Sequence, residues 1–134
     1  MAREANMFVR ELMTKDPVTA APGETLCHAL IKMRAGGFRR LPVVHEGKLI
    51  GILSEYDLRR HLEALESTIV LEAMTPDPVT VSPAATLEHA VALLKGKEIG
   101  ALPVVYNGRL IGIITASNLW FPEPRPLPNW LRQQ

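Results

Sequence analysis

The chain has 134 residues, 47% of them hydrophobic and 22% charged, with a formal net charge of +1. That length suits one ordinary domain or two very small ones, and the apolar content suffices for a packed core. A charge so close to zero sets up no field for nucleic acid or an acidic membrane surface, and no apolar run approaches the ~20 residues that cross a bilayer. The N-terminal stretch MAREANMFVRELM scatters charges where a secretory leader needs an apolar region, so no signal peptide is expected. The single cysteine, Cys27, cannot close an intrachain disulfide. A cytoplasmic location is the expectation.

In chain order, Asp16-Pro17-Val18-Thr19 reads as a short extended segment, because a residue before proline is pushed out of the helical region. A helix follows from about Glu24, with Leu26, Ala29, Leu30 and Met33 on one apolar face and Gly36-Gly37 as its stop. LPVV (Leu41 to Val44) and LIGIL (Leu49 to Leu53) read as two strands around a turn at Glu46-Gly47. Their near-continuous apolar runs predict burial on both faces. A second helix starts at Ser54. Residues 63–72 read as a connection, with TIVLEAM a helical turn leading onward.

The chain then writes the same text again. From Met13 against Met74 to Leu58 against Leu119 a constant offset of 61 residues holds without a gap, and 21 of 46 positions are identical. MTPDPVT answers MTKDPVT. Leu87, Ala90, Val91 and Leu94 repeat the helical face, with Gly96 as a weaker stop. LPVV returns at Leu102, Asn107-Gly108 is a strong two-residue hairpin turn, and a helix starts at Thr115. Each copy is β-α-β-β-α, so the fold class is α/β (α+β). One copy of about 50 residues buries too little surface to be stable alone, so two repeats packed about a pseudo-twofold axis are expected. The repeats span 7–62 and 73–121, joined by 63–72. Residues 122–134 form a proline-rich tail, expected to be extended, and Trp120, Phe121 and Trp130 suggest that it docks on its own domain or on a partner.

The stretch GILSEYD carries the chemistry. Ser54 falls at a helix N-terminus, where a hydroxyl can donate to a phosphate oxygen, and Asp57 lies one turn on, where a carboxylate can accept from two vicinal ribose hydroxyls. Ser-x-x-Asp is equally the pattern of a capping box, which satisfies the helix's own N–H groups. Arg39 and Arg40 either grip phosphate through their planar donor forks or are a solvated pair at a strand start. Arg59 and Arg60 read as surface residues. The second copy has Gly100 and Ala101 in place of Arg39 and Arg40, and Thr115 and Asn118 in place of Ser54 and Asp57. Asn118 is the poorer box partner and a neutral acceptor, so the two sites are expected to differ, the first favouring a more charged ligand. His28, His45, His61 and His89 show no metal-ligand spacing. No nucleophile with a base is in view, so neither a catalytic nor a metal site is expected and the chain is not read as an enzyme.

The paired MT-x-D-P-V-T, LPVV-x-x-G-x-LIGI and G-I-[LI]-[ST]-x-x-[DN] motifs resemble those of the CBS domain, here as a stand-alone tandem pair (a Bateman module), over residues 7 to 121. The resemblance implies a regulatory fold that binds adenosine-type ligands in clefts between repeats: AMP, ADP or ATP, with S-adenosylmethionine possible. No cofactor is required. PVTA (Pro17 to Ala20) and PVTV (Pro78 to Val81) resemble the family's adenine-lining segments, whose backbone groups read a base edge. The candidate nucleotide-binding residues so implied are Val18, Thr19, Ala20, Arg39, Arg40, Leu41, Pro42, Ser54 and Asp57 in the first copy. In the second they are Val79, Thr80, Val81, Ala101, Leu102, Pro103, Thr115 and Asn118. The family also implies a homodimer and a regulated protein partner; the near-zero charge and the lack of a long apolar run lead us to expect no nucleic acid and no membrane. The function expected is a nucleotide sensor that signals by conformational or dimer rearrangement; the alternative is a non-catalytic interaction module with empty clefts.

Overall fold

A computed structural model describes residues 7–120. The elements run α1 (Val9–Leu12), β1 (Thr14–Lys15), α2 (Leu26–Gly36), β2 (Arg40–His45), β3 (Lys48–Ser54) and α3 (Glu55–Arg59), then a 3-10 turn (Leu62–Ala64). The second half continues with α4 (Val70–Ala73), β4 (Thr75–Pro76), α5 (Leu87–Lys97), β5 (Ala101–Tyr106), β6 (Arg109–Thr115) and a closing 3-10 helix (Ala116–Trp120). They form two compact units. One is residues 17–78; the other joins residues up to 16 to those from 79 onward.

The 17–78 unit is a three-stranded antiparallel sheet in the order β2-β3-β4 with α2 against it. Thr25 caps α2, its hydroxyl accepting from the His28 N–H at 3.1 Å. Gly37, at φ 73°, ends the helix in the left-handed region that favours glycine. Glu46 and Gly47 both take positive φ, as the tight hairpin turn requires. Leu26, Ala29 and Met33 from α2 meet Leu41, Val43 and Leu53 from the strands in one core, with Leu58 and Val70. The other unit repeats this design with the sheet order β1-β6-β5. Thr86 caps α5, Asn107-Gly108 forms the hairpin turn, and Leu87, Ala90, Leu94, Leu102, Val104 and Ile114 make up the core.

Four local expectations are corrected. Asp16 and Asp77, before their prolines, leave the right-handed helical region for the left-handed one, at φ 48° in both copies, and not for extended backbone. Helix α5 runs through Gly96 and ends on Glu98 at φ 55°, so a residue with a Cβ holds the left-handed cap. Burial on both faces holds for Leu41, Pro42 and Val43 and for Leu102, Pro103 and Val104, whereas Leu49, Ile50 and Ile52 are half-buried. The second copy's last helix is 3-10 and not α.

The largest difference concerns the short leading segments. Val9 lies in the core of the second repeat: its N–H donates to the Ala85 carbonyl at 2.9 Å, and the Leu87 N–H donates to the Met7 carbonyl at 2.9 Å. Val70, one repeat later, is fully buried in the core of the first repeat, its N–H donating to the Glu24 carbonyl at 2.8 Å. TIVLEAM is thus a helical turn that belongs to the first repeat's core. β1 likewise pairs with β6, and β4 with β3. Each unit joins the body of one repeat to the leading segment of the other. The proline-rich tail with Phe121 and Trp130 lies outside the described residues.

Candidate functional site

In the 17–78 unit the hairpin brings Arg40 opposite Ser54, as register partners at the end of β2 and β3. The chain then turns into α3, the Glu55 N–H donating to the Arg39 carbonyl at 2.9 Å. Ser54 and Asp57 form a closed capping box. The Ser54 N–H donates to Asp57 Oδ2 at 2.8 Å, the Ser54 hydroxyl donates to the same oxygen at 3.0 Å, and the Asp57 N–H donates back to Ser54 Oγ at 3.2 Å. Asp57 Oδ1 takes no part in the box. Arg40 is half-buried. Burial pushes its guanidinium below the ordinary value and the neighbouring Arg39 charge adds to that, while Asp57 and Glu55 pull the other way. Two cations and two carboxylates therefore share one corner of the unit.

The second copy builds the same corner without charge. Ala101 is the register partner of Thr115. The Thr115 N–H donates to Asn118 Oδ1 at 2.7 Å, and its hydroxyl reaches the same oxygen at 3.0 Å. Asn118 Oδ1 accepts the same two bonds as Asp57 Oδ2, but the return bond from the N–H of the third helical residue to the cap hydroxyl is shown only in the first copy, so Asn118 is the poorer box partner, as expected. At the offset of 61, Arg39, Arg40, Glu55 and Asp57 become Gly100, Ala101, Ala116 and Asn118. The exchange of aspartate for asparagine keeps the two bonds to the side-chain oxygen and removes the charge.

The segments implied to line a base are tied to the same hairpins by parallel bridges, Ala20 to Val43 and Val81 to Val104. Val18 and Val79 are exposed, at 42% and 36%. Thr19 is half-buried and Thr80 exposed. Ala20 and Val81 are in the cores, and their N–H groups are committed, donating to the Pro42 and Pro103 carbonyls at 2.9 and 3.0 Å. Any donor to a base edge must come from elsewhere in these segments. Leu41, Pro42, Ala101, Leu102 and Pro103 are buried, so their side chains shape the core behind the corner. Residues 18–20, 39–42, 54 and 57 lie in one unit, and 79–81, 101–103, 115 and 118 in the other.

Two residues escaped the sequence reading. Lys32 Nζ donates to the Thr19 carbonyl at 2.8 Å and to Glu24 Oε2 at 2.9 Å. The repeat carried the signal, since both positions are apolar in the second copy, Leu93 and Ala85. His28 stands 3.1 Å from Glu24 Oε1 and His45 3.6 Å from Glu46. Cys27 is half-buried and free. Among the described residues no group of three or more His, Cys, Asp or Glu could hold a metal ion, and no helix is long and apolar enough to cross a membrane.

Comparison with known proteins bears on this geometry. The CBS domain family model matches residues 9–64 and again 70–119. The chain belongs to the CBS domain family. A CBS domain-containing protein of Dictyostelium discoideum is 34% identical over 128 residues, covering 84% of this chain and 88% of its own. Among solved structures, CBSX2 in complex with AMP is 30% identical at a TM-score of 0.76, covering 85% of this chain and 93% of its own. The CBS domain pair of protein MJ0100, in complex with 5′-methylthioadenosine and S-adenosyl-L-methionine, is 27% identical at a TM-score of 0.78, covering 84% and 92%. The chain spans only 23% and 47% of the length of two further curated relatives. This is a tandem CBS pair of mixed α and β repeats.

Proposed function

We propose that this CBS pair is a non-catalytic regulatory module that binds an adenosine-type ligand, with the 17–78 unit taking the more charged one. The observation that carries the reading is the polar corner formed by Arg40, Ser54 and Asp57, with its uncharged counterpart Ala101, Thr115 and Asn118. Arg39 and Arg40 supply planar donor forks for phosphate, and Asp57 supplies an acceptor for ribose hydroxyls. Val18 and Thr19 offer apolar contact and backbone groups to a base. AMP, ADP or ATP fits the charged corner. S-adenosylmethionine or 5′-methylthioadenosine, lacking phosphate, suits the other. CBS pairs of similar sequence in complex with AMP and with these sulfur-containing adenosines support an adenosine-type ligand. Binding would act on a regulated protein by shifting the population of conformations or of a homodimer, in a cytoplasmic setting.

Titration calorimetry with AMP, ADP, ATP and S-adenosylmethionine tests this. Asp57→Asn is the informative variant, because Asn118 Oδ1 accepts the same two bonds from its cap residue that Asp57 Oδ2 accepts from Ser54. It is expected to weaken nucleotide binding about 10- to 100-fold, as the loss of a charge-assisted hydrogen bond of ~1.5–3 kcal/mol predicts, with the melting temperature little changed. Asn118→Ala is expected to leave the tighter nucleotide event in place, and the opposite pattern would reverse the assignment of the two corners. Absence of heat with all four ligands would favour a pure interaction module. The exposed Ile31, Tyr56, Leu62 and Leu71 are what speak for that second reading.

A further inference from the structure

The unit that holds α5, β5 and β6 is built from two separate pieces of chain, and the whole of residues 17–78 lies between them in sequence. Its leading piece is gripped along its length. The Val9 N–H donates to the Ala85 carbonyl at 2.9 Å, the Arg10 N–H to the Pro83 carbonyl at 3.1 Å, and the Leu87 N–H to the Met7 carbonyl at 2.9 Å. Thr14 and Lys15 pair with Ile113 and Gly112, and the Asp16 N–H donates to the Ile111 carbonyl at 3.2 Å. Val9 is fully buried, and Met7, Leu12 and Met13 pack against the same core. The residues that hold the segment all lie between 79 and 120, so the slot is complete without residues 17–78. Backbone bonds and apolar burial of this kind do not depend on which copy of the chain supplies the segment.

The chain passes from one unit to the other twice, after Asp16 and after Pro78. Both joints carry Asp-Pro, and Asp16 and Asp77 both stand at φ 48°. A residue with a Cβ is strained in that left-handed region, and a residue before proline favours extended backbone. Straightening either joint returns its aspartate to the favoured region. Both openings also lead to one product. Opening at Asp16 frees the leading segment and opening at Asp77 frees residues 79–120, and either way the segment of one copy can meet the slot of another. The counterpart in the first unit has no such joint. Residues 68–76 are continuous with the rest of 17–78, and the approach to them is tied down, the Leu26 N–H donating to the Thr68 carbonyl and the Cys27 N–H to the Leu65 carbonyl, each at 2.9 Å.

We propose that residues 7–16 are an exchangeable element: the slot on the 79–120 unit takes the leading segment of a second copy, and the reciprocal exchange closes a dimer. Every contact of the slot recurs in that dimer. The two forms then differ in the joints, where relief of the left-handed aspartates favours exchange, and in the entropy of association, which opposes it less as concentration rises. Leaving the dimer requires Val9 to be withdrawn from the core, so the dimer outlasts dilution. No ligand takes part, and the exchange stands or falls apart from the adenosine-type reading.

Disulfide trapping between two full-length chains, both Cys27→Ser, tests this. One carries Phe8→Cys and the other Thr86→Cys. These residues are bridge partners, and the Val9 and Leu87 bonds that flank them make a non-hydrogen-bonded pair, whose Cα atoms at ~4.5 Å lie within a disulfide's reach. The chains are unfolded together, refolded at rising concentration and oxidised. The mixed disulfide is expected to outnumber the two same-variant disulfides several-fold, against parity for random pairing. Thr25→Cys with Ile69→Cys, the equivalent bridge in the first unit, is expected to stay at parity. Parity for Phe8→Cys with Thr86→Cys would overturn the proposal, and so would an equal excess in both pairs. Should the cysteine variants not fold, light scattering of the refolded wild type decides. A dimer that survives dilution is expected, its share falling several-fold in the Asp16→Gly, Asp77→Gly double variant, because glycine takes φ 48° without strain. Recovery of monomer alone, or a dimer that dissociates at once on dilution, would overturn it.

Discussion

Asp57 and Asn118 show how one atom can serve two ends. The bond from the cap residue's N–H needs only an oxygen at the third helical position, so the second copy could exchange a carboxylate for an amide and keep that half of the box. The net charge of the corner is then free to diverge. Glu24 is a carboxylate of another kind. Burial pushes its pKa up, but the Lys32 hydrogen bond, the Ala21 N–H, and the charges of Lys32 and His28 more than offset that, so it falls below the ordinary 4.5. A carboxylate with a depressed folded value contributes stability above its unfolded pKa and loses it as pH falls through the folded one. The melting temperature of the wild type is therefore expected to exceed that of Glu24→Gln at neutral pH, and the gap to close progressively below pH 4.5, as thermal melts across an acid series would show. A gap that widened on acidification would contradict the depressed value. Ser54, Asp57 and Arg40 were legible as site candidates because the repeat aligned them. Glu24 and Lys32 were not, since a carboxylate before a helix cap and an ammonium in mid-helix meet only once the chain has folded back past Thr25.

The helices and hairpins were largely written in the local pattern. Leu26, Ala29 and Met33 form a helical face that can only be buried inward, and Asn107-Gly108 takes the positive φ values of a two-residue turn. Glu98 holds a left-handed cap for which glycine is the usual residue, and the Ile99 N–H closes back to the Leu94 carbonyl at 3.1 Å. Gly51 and Gly112 mark close approaches between elements. A Cβ on Gly112 would lie 2.6 Å from Met13 Sδ and 2.9 Å from the Thr14 carbonyl oxygen, and one on Gly51 would meet the Met74 sulfur and the Thr75 carbonyl oxygen. The backbone carbonyls cannot move without breaking the β1–β6 and β3–β4 pairings. Gly51→Ala is accordingly expected to cost about 1–3 kcal/mol in chemical denaturation, the range of core overpacking. Gly96→Ala, inside α5 where a Cβ would meet nothing within 4 Å, serves as the control and is expected to stabilise by about 0.4–1 kcal/mol.

In the molecule as a whole, each compact unit takes its leading segment from the other repeat. Val9 is fully buried against the second repeat's helix, and Val70 against the first's. The leading segment of the first repeat thus completes a core more than seventy residues further along the chain. Removing residues 1–12 is expected to lower amide-exchange protection across 79–120 more than across 17–62, because only the former loses a core side chain and the backbone bonds at Ala85 and Leu87. Uniform loss over both stretches would mean that the units do not unfold separately. The sequence by itself determined the duplication, the order of helix and hairpin in each copy, and the exchange of charged for neutral residues between the two corners. Those properties follow from side-chain period, turn chemistry and residue identity, all of which act over a few positions. Tertiary structure alone decided which leading segment fills which core, and which side chains bind the Thr19 carbonyl and the Ala21 N–H. Both depend on groups distant along the chain becoming neighbours. An apolar valine or a lysine does not specify its partner until burial and hydrogen bonding select one among several sterically possible sites.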